Sequence, residues 1–232
     1  MINKMMSSVG VGATSAGGTG TLYIDKTDDN YGIGENLTFF STAEDNIAIG
    51  ENALNSTGGA ALRNIAIGTE ALTVNTLSDD NIAIGFNSMS KVVASAASNV
   101  AVGNYSMDGF STAAVVSCVA IGDSVLRSAS LHADASGTIA IGYTALTALT
   151  DGARNLAIGY QAMLTAQTAN DNSMIGYGAG YRMMEGEQWN TVLGSYAFSG
   201  AHTTATTDYA VAIGYNALAG SLNGVDGTVA IG

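Results

Sequence analysis

Along most of the chain the apolar residues fall in short bursts, not in long runs. Each burst reads aliphatic–small–aliphatic and ends in glycine, as in Ile47-Ala48-Ile49-Gly50, Ile65-Ala66-Ile67-Gly68 and Ile82-Ala83-Ile84-Gly85. Alternation over three or four residues bounded by glycine predicts a β-strand, because successive strand side chains point to opposite faces. The burst returns at Val100-Ala101-Val102-Gly103, Val119-Ala120-Ile121-Gly122, Ile139-Ala140-Ile141-Gly142 and Leu156-Ala157-Ile158-Gly159. Looser copies follow at Ser173-Met174-Ile175-Gly176 and Thr191-Val192-Leu193-Gly194, then regular ones at Val211-Ala212-Ile213-Gly214 and Val229-Ala230-Ile231-Gly232. A weak first copy is Tyr31-Gly32-Ile33-Gly34. Between Gly34 and Gly232 the eleven intervals run from 16 to 20 residues and average 18.

A fixed period of this length is the signature of stacked structural units. One short strand cannot bury its aliphatic face alone, whereas stacked coils each add a strand to a continuous parallel sheet. The predicted fold is therefore all-β, a parallel β-roll or β-solenoid of about 18-residue coils, roughly 50 Å long at the usual spacing between strands. Asparagine recurs four residues before the glycine, as Asn46, Asn64, Asn81, Asn99, Asn155, Asn172 and Asn190. Stacked at the coil spacing, these amides are expected to form a hydrogen-bonded ladder; ligand binding is the alternative reading. After each glycine come two mostly polar residues, a small one and a large apolar one, as in Ala53-Leu54, Ala71-Leu72 and Ala162-Met163. This predicts a short second strand turned away from the first. The remainder of each unit varies in length and reads as surface loop. The array spans 30–232, with 1–29 as an attachment or capping segment in which Thr21-Leu22-Tyr23-Ile24-Asp25 alternates like a strand.

Composition narrows the function classes. Charged residues make up only 11% of the chain and proline is absent, against 30 glycines, which suits tightly turned β-structure more than a disordered linker. The net charge is −12, and the seven basic residues are scattered, so a nucleic-acid partner is disfavoured. Membrane insertion is not expected, since no apolar stretch approaches bilayer length. The N-terminus lacks the apolar core of a signal peptide, so the chain is expected to fold in the cytoplasm of the cell that makes it. Cys118, the only cysteine, reads as a small buried hydrophobe.

The Asn-x-Ala-Ile-Gly core resembles the haemagglutinin-type repeat in the heads of trimeric autotransporter adhesins. It is also similar to phage tail-fibre repeats, seen here as Ala157-Ile158-Gly159-Tyr160-Gln161-Ala162-Met163 and Ala212-Ile213-Gly214-Tyr215-Asn216-Ala217-Leu218. The resemblance covers about residues 30–232. It implies a side-by-side homotrimer in an elongated appendage, with large aliphatics filling each roll and the alanine face meeting neighbouring chains. The longer unit and the variable loops favour the tail-fibre version. That version implies a virion protein assembled in the host cytoplasm, with virion partners at the N-terminus and a host-surface glycan or protein as target. It also implies continuation beyond Gly232 into a further domain. A bacterial adhesin head is the alternative. The motif Ile49-Gly50-Glu51-Asn52-Ala53-Leu54 also resembles one hexapeptide of left-handed β-helix acyltransferases, but only one hexad in three fits. An ice-binding solenoid would show recurring Thr-x-Thr rows, and none recurs.

Candidate chemistry is sparse, and no enzyme, cofactor or metal is expected. His132 and His202, in loops, read as solvated. The acidic spots Asp28-Asp29-Asn30, Glu44-Asp45-Asn46, Asp79-Asp80-Asn81 and Asp171-Asn172 read as turn caps before the strand; a calcium site between coils would need six or more converging oxygens. Tyr143, Tyr160, Tyr177 and Tyr215 each follow a repeat glycine and read as cross-strand packing, with sugar binding as the alternative. The segment 181–189, carrying Tyr181, Arg182 and Trp189, breaks the repeat most and is a candidate lateral contact or receptor patch.

Overall fold

The computed structural model describes residues 21–25, 28–37, 39, 43–55, 61–74, 78–91, 96–109, 114–128, 131–132, 135–183, 185–200, 206–220, 224 and 226–232. Thirteen strands lie in one sheet in chain order. They are β1 (Thr21–Asp25), β2 (Asn30–Gly34), β3 (Ile47–Ile49), β4 (Ile65–Ile67), β5 (Ile82–Ile84), β6 (Val100–Val102) and β7 (Val119–Ile121). There follow β8 (Ile139–Ile141), β9 (Leu156–Ile158), β10 (Ser173–Ile175), β11 (Thr191–Leu193), β12 (Val211–Ile213) and β13 (Val229–Ile231). β2 to β13 are parallel, and each repeat residue sits beside its equivalent one coil away, as in Ala48 beside Ala66 and Ala66 beside Ala83. The chain is thus an all-β solenoid with coils of about 18 residues. β1 pairs antiparallel with β2, Leu22 opposite Ile33, and so covers the edge of the first parallel strand. The segment before Thr21 lies outside the described residues.

Two expectations about the coil are corrected. The first concerns which face is inside. The central alanines Ala48, Ala66, Ala83, Ala101, Ala120, Ala140 and Ala157 are completely buried, while Ile47 and Ile49 remain 37% and 38% exposed. Alanine therefore faces the roll interior, and the bulky aliphatics face outward. Strand alternation fixes that the two sets lie on opposite faces but not which face is core. The deciding groups lie outside the strand. Leu54, Leu72, Met89, Met107, Leu126, Leu146 and Met163, four residues after the glycine, fill the interior together with the buried asparagines, leaving room only for a methyl group at the strand centre.

The second correction concerns the residues after the glycine, which form a turn and not a strand. Asn52 and Leu54 have φ of 55° and 49°, and the same two positions are left-handed in coil after coil. Left-handed backbone cannot continue a strand, and for a leucine it costs about 1–2 kcal/mol. Burial of that side chain offsets the cost. The turns still stack through backbone bonds, with Asn52 N–H donating to Glu35 O (2.9 Å) and Leu54 N–H to Ala71 O (2.9 Å).

The repeat glycine is required by the approach of the coils. A Cβ on Gly50 would lie 2.6 Å from the carbonyl carbon of Gly68, and φ there is 131°. In β10, where Met174 replaces the central alanine, the coil compensates: the turn position that in most coils carries Leu or Met is Gly180, where a Cβ would stand 3.1 Å from the Met174 sulfur.

The predicted asparagine ladder is present. Asn46 donates from Nδ2 to Asn30 Oδ1 (2.9 Å) and to Ala61 O (2.7 Å), and its own Oδ1 accepts the backbone N–H of Asn64 (2.9 Å). The same arrangement runs on through Asn81 and Asn99, and again from Asn155 to Asn172 and Asn190. Between these runs the column holds Cys118 and Thr138. Cys118 is buried as expected but also substitutes for an asparagine, its N–H donating to Asn99 Oδ1 (2.9 Å) and its Sγ–H to Ala135 O (3.3 Å). Burial pushes its thiol pKa up.

Candidate functional site

With alanine inside, the outward face of the sheet is a stripe two side chains wide. One row is the residue three before each glycine, from Tyr31 and Ile47 to Val229, and the other is the residue just before it, from Ile33 and Ile49 to Ile231. Every member of the second row is aliphatic; in the first, Ser173 and Thr191 interrupt an otherwise apolar series. At the β1 end, Leu22 and Ile24 join Tyr31, Ile33, Ile47 and Ile49 around a shallow apolar pocket of about 150 Å³.

Two columns flank the stripe. On the C-terminal side of the strands lies the residue directly after the glycine. Here Tyr143, Tyr160 and Tyr177 stack with ring centroids 5.2 and 4.9 Å apart and planes within 19° and 5°. Tyr196, one residue further along its own turn, meets Tyr177 edge-on at 5.1 Å, and its hydroxyl pushes the Tyr177 pKa up. The aromatic packing expected from sequence is therefore real for three of the four tyrosines. Tyr215 belongs to the same column but is cut off from it by Ser195 and stands exposed. Within the stack the rings cover each other's faces, and Tyr196 lies against the Tyr177 end.

On the N-terminal side lies the residue five before the glycine, left-handed in coil after coil. This column holds cross-coil pairs. Arg63 grips Asp80 with Nε and an Nη (2.6 and 2.9 Å), and Arg154 grips Asp171 likewise (2.6 and 2.7 Å). The guanidinium beside each carboxyl holds Asp80 and Asp171 below the ordinary carboxylate range. Further along, Trp189 stacks on Tyr209 at 4.8 Å and 13°. Tyr209 was not singled out from sequence, although its spacing was a usable signal: it precedes Gly214 by five residues as Trp189 precedes Gly194.

The remaining candidates are scattered. Tyr181 is half-buried and Arg182 exposed in the loop beyond the turn, away from Trp189's column. Glu187 is fully buried, and its Oε1 accepts the Thr207 N–H (3.3 Å). His132 is exposed and pairs through Nδ1 with Asp151 (2.6 Å); His202 lies outside the described residues. Beside that pair is a polar hollow of about 440 Å³ lined by Asp151, Arg154, Thr168 and Asn170. Its main polar groups serve the fold: Asn170 Oδ1 accepts the Ala153 N–H and its Nδ2 donates to Thr168 O, while Arg154 is held by Asp171. Among the described residues no three metal-ligating side chains converge, and no helix is long and apolar enough to cross a membrane. A charged cluster that spacing alone did not flag lies five and six residues after the glycine. There buried Asp108 accepts Ser90 Oγ–H (2.7 Å) and Lys91 Nζ (3.0 Å), with Arg127 at 3.7 Å.

Comparison with family models, with curated proteins and with solved structures found no match.

Proposed function

We propose that the chain is a structural segment of an elongated appendage, a tail-fibre-like rod of three copies lying side by side, with attachment to a host surface as a second role. The observation that carries this reading is the aliphatic stripe. A folded monomer rarely leaves a contiguous apolar surface of this extent in water. Covering the exposed part of each isoleucine is worth about 1.5 kcal/mol. A second copy suits the stripe better than an unrelated surface, because only a partner with the same coil spacing stays in register along its whole length. The repeat resemblance supports three copies over two. This reading moves the interface proposed from sequence from the alanine face to the isoleucine face.

The appendage role is tested by immunogold electron microscopy with antibodies against the purified chain, applied to phage particles and to uninfected cells of the source bacterium. Gold along thin fibres on the particles is expected. Labelling of the envelope of uninfected cells would favour the surface-adhesin alternative, and recovery only as a soluble particle attached to neither would overturn both.

A further inference from the structure

We propose that Trp189 and Tyr209, both of one chain, form a binding platform for neutral pyranose rings. The column five before the glycine is left-handed in every described coil that carries a non-glycine there, with φ of 57° at Trp189 and 59° at Tyr209. Gly, Asp and Asn adopt this backbone most easily, and two bulky aromatics in succession are a costly choice there. Their packing within the fold does not explain them, since Trp189 is 46% and Tyr209 58% exposed.

At the Tyr209 end this stack is not continued by another side chain of its column. Gly227 follows Tyr209 in the column, its N–H donating to Asp208 O (2.9 Å), and it carries no side chain to lie against the ring. The far face of the Tyr209 ring therefore has no side chain against it from its own column. Carboxylates occupy the positions next to this column. Asp208 precedes Tyr209 and Asp226 precedes Gly227. Asp208 Oδ1 accepts the Gln188 N–H (2.8 Å) and Asp226 Oδ1 the Asp208 N–H (2.9 Å), which fixes both carboxyls. The second oxygen of each accepts no hydrogen bond from a described residue. An exposed aromatic stack with fixed acceptors at the neighbouring positions suits a ring with an apolar C–H face and hydroxyl donors at its rim. The two local acids, in a chain of net charge −12, exclude acidic sugars.

Trp189 is the only tryptophan, so its fluorescence reports on this site alone. The full-length chain is titrated with methyl β-galactoside, methyl β-N-acetylglucosaminide and methyl β-glucuronide. The two neutral glycosides are expected to give a saturable change in the millimolar range, and the glucuronide a weaker one. Tyr209→Ala should weaken binding at least about tenfold. Gly227→Asn, which tolerates left-handed backbone and covers the ring, should abolish it even if Tyr209→Ala fails to fold, and Tyr143→Ala should leave it unchanged. Absence of a saturable response to either neutral glycoside, binding that survives Gly227→Asn, a glucuronide that binds as well, or an equal response to N-acetylprolinamide would each overturn the proposal.

Discussion

At the residue scale the solenoid depends on two columns in which substitution is poorly tolerated. A side chain on a repeat glycine meets the backbone of the next coil, so no rotamer change can relieve the contact. Gly85→Ala is expected to lower stability by more than the 1–3 kcal/mol of backbone strain alone, read from chemical denaturation; a change within about 0.5 kcal/mol would show that the coils can separate locally. The asparagines act differently. Removing the Asn81 amide leaves Asn64 Oδ1 without its side-chain donor and Ala96 O and the Asn99 N–H without partners, all in a buried setting. Asn81→Ala should therefore cost about 3 kcal/mol. Cys118→Asn, which restores the missing rung between Asn99 and Thr138, should raise the melting temperature. Cys118 itself should resist thiol reagents at mildly alkaline pH until the protein is unfolded, because burial disfavours its thiolate.

At the element scale, the strand, its period and the ladder were legible in sequence because each rests on identity at a fixed spacing. The orientation of Ala48 against Ile49 was not. Alternation is symmetric between two faces, and the tie is broken by Leu54, whose inward direction follows from left-handed backbone that no spacing reveals. The same turn explains why the predicted second strand is absent. Ala83→Asp and Ile84→Asp separate the two orientations. The first places a charge in the interior and should prevent folding; the second should leave the β-sheet circular-dichroism signal intact and disturb only assembly. The cross-coil pairs add a modest pH response. With its folded pKa lowered by Arg63, Asp80 contributes stability above the ordinary carboxylate range, and that contribution is lost as pH falls through the lowered value. Both groups are solvent-exposed, so the effect is best read from carboxyl NMR shifts, where Arg63→Gln should return the Asp80 midpoint to the ordinary range. An unmoved midpoint would mean that the pair does not form in solution.

At the scale of the whole molecule, a rod roughly 50 Å long presents one aliphatic stripe, flanked by a stacked tyrosine row on one side and by ion pairs and an exposed aromatic stack on the other. Mechanical continuity comes from backbone bonds between successive coils, with β1 laid antiparallel across the first edge. The stripe is what the fold leaves unsatisfied, and copies of the same chain are the partner proposed for it. Sedimentation equilibrium of the purified chain tests this most directly. With a chain mass of 23.3 kDa, the account predicts a single species of three chains, about 70 kDa, that Ile84→Asp converts to folded monomer. A wild-type chain that stays monomeric at micromolar concentration would contradict it.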